Sequence, residues 1–283
     1  MRSNKRNNFS DLYKRVYRCI ILLILIVSIQ SCSFEKMFYY PDRTLSHQKE
    51  ADSLGFKHID FPSKNGKLLN GYLVVPKDSI YGFILFLHGN AGDIDDRISS
   101  LKILQDGGFE VLIFDYQGFG KSQGEVSHQN LVDDAESALK LLQDYNKDKK
   151  LPVIIFGRSI GGHLAVKIAH DHQKEINALV TEGAFTNHHD IAVAITPFWL
   201  SPFASVLVKS QYKASTLIKE ITVPKLIIHS TDDEVVPYWM GVELFKKAAE
   251  PKEFWKIRGC HICGIELNQK EYIEKLRKLC AVQ

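Results

Sequence analysis

Leu151 to His172 limits the folds open to this chain more than any other stretch; it reads Leu-Pro-Val-Ile-Ile-Phe-Gly-Arg-Ser-Ile-Gly-Gly-His-Leu-Ala-Val-Lys-Ile-Ala-His-Asp-His. Val153 to Phe156 is a short β-branched and aromatic run, the composition of a buried strand. A Gly-x-Ser-x-Gly turn follows, with Gly157, Ser159 and Gly161 at its fixed places, and a helical pattern begins at Ile160. Strand, sharp turn and helix in direct succession strain the backbone at Ser159 and project its hydroxyl above a sheet, while Gly157 and Gly161 let strand and helix pass closely. The helix start aims unpaired N–H groups and a positive dipole end at the same place, which suits an oxyanion. Taken alone, the pattern also fits an ordinary turn with a serine cap.

The chain downstream decides between the two. Leu226 to His229 is an apolar strand opening into Ser230-Thr231-Asp232-Asp233-Glu234-Val235-Val236-Pro237, and Phe254 to Ile257 opens into Arg258-Gly259-Cys260-His261. Serine, acid and histidine, each just past its own strand, would meet at one end of a sheet as nucleophile, orienting acid and base. Charge alone leaves Asp232 and Asp233 both open as the acid. Upstream, Phe83 to Leu87 is wholly apolar, the mark of a central strand, and ends in His88-Gly89-Asn90-Ala91-Gly92. That loop is expected to supply one oxyanion donor, the N–H of Asn90 or of Ala91, beside the N–H of Ile160. His88 reads as a structural histidine, because His261 fills the base's role. Asp115 precedes Ser159 in the chain and reads as a loop-fixing carboxylate.

Eight strands can be read in all: Lys57 to Phe61, Leu68 to Val75, Phe83 to Leu87, Glu110 to Tyr116, Val153 to Phe156, Ala178 to Thr181, Pro224 to Ser230 and Glu253 to Ile257. The first two join through Ser63-Lys64-Asn65-Gly66, a hairpin signal, and should be antiparallel. Helical patterns near 95–105, 129–145, 160 onward, 239–248 and 267–279 separate the others, so an α/β fold with a mostly parallel sheet and helices on both faces is expected. Residues 186–221 break the alternation and carry Phe198, Trp199, Leu200, Phe203, Val206 and Leu207. They are either a small lid shaping an acyl or alkyl pocket or a packed helix with an irregular approach. His188 and His189 cannot share one helix face and read as surface or lid histidines. The aromatics of Phe38-Tyr39-Tyr40-Pro41 are expected to pack the first strand pair against the body.

Residues before the first strand ask for a different explanation. Lys5, Arg6, Lys14, Arg15 and Arg18 precede the apolar run Cys19 to Ile29, and Ile29-Gln30-Ser31-Cys32 follows. The run falls short of the roughly 20 residues of a membrane span and fits the core of a signal peptide. The Ile-x-Ser-Cys end resembles a bacterial lipoprotein signal, in which the cysteine carries the lipid. Residues 1–32 are therefore expected to be a targeting segment, residues 33–283 the folded domain, and the protein an exported lipoprotein held to a membrane through Cys32, with an uncleaved signal anchor as the alternative. The net charge of +3 is largely spent in this segment and implies no nucleic-acid partner. Cys260 and Cys263 form a C-x-x-C around His261, but no second Cys/His pair completes a metal site, so no metal is expected; a disulfide between them stays open.

With these residues in view, the chain resembles the α/β-hydrolase superfamily, specifically the compact serine-hydrolase branch that includes membrane-associated protein depalmitoylases and related esterases. Tyr40-Pro41, His88-Gly89-Asn90-Ala91-Gly92, Phe114-Asp115-Tyr116-x-Gly118-Phe119-Gly120-x-Ser122, Gly157-Arg158-Ser159-Ile160-Gly161-Gly162, Asp233-x-x-Val236-Pro237 and His261 carry the resemblance. It implies Asp233, three residues before Val-Pro, as the acid. Gln117, Ser230 and Cys260-His261-Ile262 depart from the pattern of that branch. The resemblance implies acyl transfer to water at an ester or thioester, by a Ser159, His261 and Asp233 triad with Asn90 and Ile160 as oxyanion donors, with no cofactor. A small-molecule or acylated-protein ester would be the substrate. A peptidase, an acyltransferase or a non-catalytic binding lipoprotein would use the same residues differently.

Overall fold

The structure is a computed structural model and describes residues 39–41, 48–201, 205, 208 and 210–281. The chain divides into two compact units, residues 1–38 and Tyr39–Gln283. The first unit, with Cys32 and the expected targeting segment, lies outside the described residues, as do Phe203, Val206 and Leu207.

The strands are β1 Tyr40–Pro41, β2 Lys57–Pro62, β3 Leu68–Val74, β4 Gly82–Leu87, β5 Ala91–Gly92, β6 Phe109–Phe114, β7 Val153–Arg158, β8 Ala178–Glu182, β9 Lys225–Ser230 and β10 Lys252–Ile257. Eight of them form one sheet in the order β10-β9-β8-β7-β4-β6-β3-β2. Every neighbouring pair from β10 to β6 is parallel. Only the expected hairpin departs, with β3 antiparallel to β6 and β2 antiparallel to β3. The two remaining strands, β1 and β5, form a short parallel pair.

Between the strands run α1 Gln48–Ser53, α2 Ile98–Asp106, α3 His128–Asn146, α4 Ile160–Asp171, α5 His188–Ile195, α6 Ala214–Leu217 and α7 Tyr238–Lys247, and after β10 come α8 Gly264–Leu267 and α9 Gln269–Ala281. Alternation along the central strands divides the core in two. Ile84, Phe86, Ile154, Phe156, Val180, Leu226 and Ile228 pack with Leu101 and Leu104 of α2 and Tyr272 and Leu276 of α9. Phe83, Leu85, Ile155, Leu179 and Ile227 are equally buried on the other face, where α3, α4 and α7 lie against the sheet. Full burial on both faces is why these strands read as unbroken apolar runs.

Tyr39, one of the aromatics expected to pack near the first strand pair, has its ring 6.5 Å from that of Phe119 and 5.5 Å from that of His128, and its hydroxyl bonds His128 Nδ1. The β1–β5 pairing, with Tyr40 N–H donating to Asn90 Oδ1 at 3.2 Å, draws residues 39–41 to the end of β4.

Candidate active site

Ser159 sits between β7 and α4 at φ +57° and ψ −119°, a conformation a residue with a Cβ adopts only under constraint. The constraint comes from both sides. Its N–H donates to the Glu182 carbonyl (2.8 Å), and its own carbonyl accepts from His163 N–H (3.1 Å). A Cβ at Gly161 would overlap the backbone oxygens of Leu87 and His88, and one at Gly157 would overlap the Gly161 carbonyl, so strand and helix can meet this closely only through glycine. No side chain caps α4. The β4 loop passes alongside, because a Cβ at Gly89 would lie 3.5 Å from Ser159 Cβ and 3.6 Å from Ile262 Cδ1. Gly89, which precedes Asn90, thus lies beside Ser159, and Ile160 follows Ser159 as the first residue of α4.

His261 lies in the loop after β10. Its Nδ1 is 2.6 Å from Asp233 Oδ2, and a carboxylate only accepts, so Nδ1 carries a hydrogen, and in the neutral ring this tautomer leaves the lone pair on Nε2. Nε2 is buried and makes no hydrogen bond among the described residues. Gly183, one residue past the carbonyl that holds Ser159 N–H, would place a Cβ 2.8 Å from His261 Cε1, so the imidazole stands over the turn that follows β8.

Asp233, with its side chain buried, accepts on every side. Oδ1 takes N–H groups of Val235 (2.9 Å) and Val236 (2.8 Å); Oδ2 takes His261 and, at 3.2 Å, His229 Nε2. Burial opposes its charge, but hydrogen bonds from His229 and His261 outweigh that and hold its carboxyl well below the ordinary range. Asp232 is exposed and accepts from Gly259 N–H (3.3 Å) and the Thr231 hydroxyl (2.9 Å) instead. The residues the sequence left open are therefore separated by geometry, and Asp233 alone reaches the imidazole.

His229 was invisible as a supporting residue in the sequence. Its only signal was a histidine closing an otherwise apolar strand. Nε2 donates to the Val236 carbonyl (3.0 Å) as well as to Asp233, and a Cβ at Gly241 would overlap its ring, so α7 approaches through that glycine.

A buried ion network ties the two loops together. Arg158 Nε donates to Glu182 Oε2 (2.9 Å), Nη1 to Ser100 Oγ (2.9 Å) and Nη2 to Glu266 Oε2 (3.2 Å). Glu182 also accepts Gly264 N–H (2.6 Å) and the Tyr272 hydroxyl (2.9 Å). Burial works against the charge on Arg158, but Glu182 and Glu266 outweigh it and strengthen its hold on the proton. Glu182 therefore holds Ser159 with its backbone and, with its side chain, a residue three beyond His261.

The other residues singled out in the sequence fall as follows. His88 is buried, donates from Nδ1 to the Gly89 carbonyl (2.7 Å), stacks on Tyr116 and is pushed down to about 3 by burial, so it is a neutral structural group. Asp115 accepts Ile94 N–H (3.0 Å) and so fixes the loop after β4, as a loop-fixing carboxylate. Cys260 and Cys263 form a disulfide across the histidine. His188 is not a surface residue: its ring is 3.9 Å from that of His128 and 4.6 Å from that of His163, inside the body. Asn187 caps α5 through its side chain and so fixes the turn that directs His188 inward. Its neighbour His189 points outward to Asp190 and Ser205. Phe198, Trp199 and Leu200, expected as pocket or core residues, face solvent.

Comparisons with known proteins agree with this architecture. Residues 78–219, half of the chain, match the family model described as Serine aminopeptidase, S33. The uncharacterized protein YfhR of Escherichia coli K12 is 28% identical over 248 residues, covering 84% of each chain. Lysophosphatidylserine lipase ABHD12 of Macaca fascicularis is 32% identical over 193 residues, 62% of this chain and 48% of that protein. Among solved structures, the Pyrococcus furiosus esterase Pf2001 aligns at a TM-score of 0.69 and 19% identity over 85% of this chain and 97% of its own. Est1E of Butyrivibrio proteoclasticus, solved with ferulic acid, aligns at 0.61 and 22% over 79% and 99%; at such identities these two share the fold. With the sheet order, the serine turn and the family match in agreement, the chain belongs to the α/β-hydrolase superfamily, in the family described as Serine aminopeptidase, S33.

Proposed function

We propose that this hydrolase is a membrane-tethered serine esterase or thioesterase. The observation that carries the reading is the His261 imidazole, bonded through Nδ1 to a buried, ionised Asp233 and standing over the turn after β8, whose Glu182 carbonyl holds Ser159 N–H, while Nε2 makes no hydrogen bond among the described residues. Ser159 Oγ attacks the acyl carbonyl as His261 Nε2 takes its proton; the tetrahedral intermediate expels the alcohol or thiol, which receives that proton, and water then cleaves the acyl-enzyme by the same steps. Asp233 keeps the tautomer and stabilises the imidazolium. N–H groups of Asn90 and Ile160 hold the oxyanion, a contribution of about 3 kcal/mol per donor in such sites. The chemistry calls for no cofactor.

The lipase activity in the name of ABHD12 favours an amphiphilic ester as substrate. The tether is the N-terminal segment, with the lipid on Cys32 and the hydrolase domain starting after it; no helix among the described residues is long and apolar enough to cross a membrane. Hydrolysis of a nitrophenyl ester series, from short to long acyl chains, by wild type and Ser159→Ala tests the reading, with a fluorophosphonate probe alongside. Turnover and labelling in wild type, both lost in the variant, are expected. A Ser159→Ala variant as active as wild type removes Ser159 from the mechanism, and a folded protein that neither labels nor turns over leaves a binding protein. Cleavage of peptide amides in preference to every ester makes it a peptidase.

A further inference from the structure

The segment expected to wall a pocket turns its apolar side chains outward. Ile195, Phe198, Trp199 and Leu200 are 59%, 82%, 64% and 46% exposed. Their backbone is a closed turn, with the N–H groups of Leu200 (2.8 Å) and Ser201 (3.1 Å) both donating to the Pro197 carbonyl, so the exposure belongs to a formed structure. A cluster of large apolar residues in water, two of them aromatic, is costly unless something covers it.

What covers it follows from where it lies. The segment leaves the carboxyl end of β8, and β9 runs parallel beside β8, so it emerges at the sheet end that carries Ser159, Asp233 and His261. Val235 and Trp239, after β9, are exposed at that same end. The chain also joins the domain there, because Tyr40–Pro41 pairs with Ala91–Gly92 just beyond β4. The lipid proposed on Cys32 is separated from Tyr39 by residues 33–38. Such a linker reaches about 25 Å at most when fully extended, so the point where the chain joins the domain stays within that distance of the lipid-bearing residue. Aromatic and aliphatic side chains on a polar scaffold are suited to the boundary between headgroups and acyl chains.

We propose that the Ile195–Leu200 turn is a lipid-docking face, seated on the same bilayer that holds the N-terminal segment, and that the site therefore takes esters presented by that bilayer, amphiphiles whose acyl chains lie in lipid. This rests on the tethered-hydrolase reading above.

The test uses the full chain reconstituted in phosphatidylcholine and phosphatidylglycerol vesicles with brominated acyl chains, which quench tryptophans that touch them. Trp255 is buried, so Trp199 and Trp239 report from the surface. Quenching in wild type that is mostly lost in Trp199→Phe and kept in Trp239→Phe is the expected result. No quenching, or equal quenching with and without Trp199, overturns the docking face, as does a chain that fails to float with the vesicles. In a second arm, the Phe198→Asp, Trp199→Asp double variant should hydrolyse a long-chain ester embedded in vesicles about tenfold or more slowly, a soluble short-chain nitrophenyl ester staying within about twofold of wild type. Equal loss on both esters makes these residues part of the pocket and overturns the proposal. So does a lipid-free dimer that the double variant converts to monomer, since that assigns the face to a second copy. A wild type that is quenched through Trp199 yet hydrolyses neither ester leaves the docking face standing and removes the hydrolase reading.

Discussion

Asp233 shows how much of a proposed catalytic residue's behaviour is settled by what donates to it. Four donors converge on its two oxygens, two backbone N–H groups on one and two imidazoles on the other. The carboxylate therefore stays charged though buried, and its charge is available to an imidazolium forming on His261. Asp233→Asn keeps the shape but presents an amide, which favours the wrong tautomer of His261; kcat should fall by about 10⁴ with KM little changed, the scale such a substitution has in other serine triads. His229→Leu removes one hydrogen bond to a charged group, worth about 1.5 to 3 kcal/mol, so steady-state kinetics should show kcat down by about ten- to a hundredfold. If His229 only fills space, kcat will hold. The pH dependence has a definite sign. Asp233 is depressed in the folded state, so what it contributes to stability is complete above its unfolded value near 4 and is lost as pH falls towards the folded one; without His229 the loss should still begin near 4 but be smaller and end at a higher pH.

Elements meet at this site through glycines and through one arginine, and the two devices fail differently. The obstacle to a side chain at Gly161 is backbone of the central strand, which cannot move aside. Gly161→Ala should therefore cost more than about 3 kcal/mol in urea unfolding, well beyond an ordinary substitution. Arg158→Met leaves Glu182 buried with its main cation gone, an expected loss of about 3 to 5 kcal/mol, and adding Glu182→Gln should recover part of it. If Arg158→Met alone is neutral, the network contributes no net stability. The glycines were legible because strand, turn and helix are adjacent in the chain and their clash is local. The arginine was not, because Ser100, Glu182 and Glu266 come from three separate elements and nothing near Arg158 marks them as partners. His188 escaped for a like reason, since its neighbours His128 and His163 stand on α3 and α4. The strands, buried on both faces, were readable almost to the residue, and so were Ser159 and His261, each just past one. Apolar content in residues 186–221 could not say which way Phe198 and Trp199 point.

Across the whole molecule, burial of neutral histidines should make stability fall on acidification. His88 and His163 are each lowered to about 3 by burial, and His188 is lowered well below its ordinary value for the same reason. An unfolded histidine binds its proton near pH 6.5, while these two take it only near 3 in the folded state. The unfolded chain thus holds more protons throughout that window, and each group removes about 1.4 kcal/mol of stability per pH unit as pH falls through it. Asp93, Asp115 and Asp134 act in the opposite direction, because burial raises them and the folded state binds their protons first. The total slope is therefore a balance, and a single histidine is isolated only by difference. His163 is the clean case: its ring is stacked between Phe185 at 4.5 Å and Tyr212 at 4.4 Å. Neither of its nitrogens makes a hydrogen bond among the described residues. Phenylalanine can keep the stacking and leaves no new polar group unpaired, so His163→Phe should hold its stability at neutral pH. Between about pH 6 and about pH 4.5 its urea-unfolding free energy should fall less steeply than that of wild type, by about 1.4 kcal/mol per pH unit. Parallel slopes would mean that His163 already carries a proton in the folded protein, and burial would then not be what sets its charge.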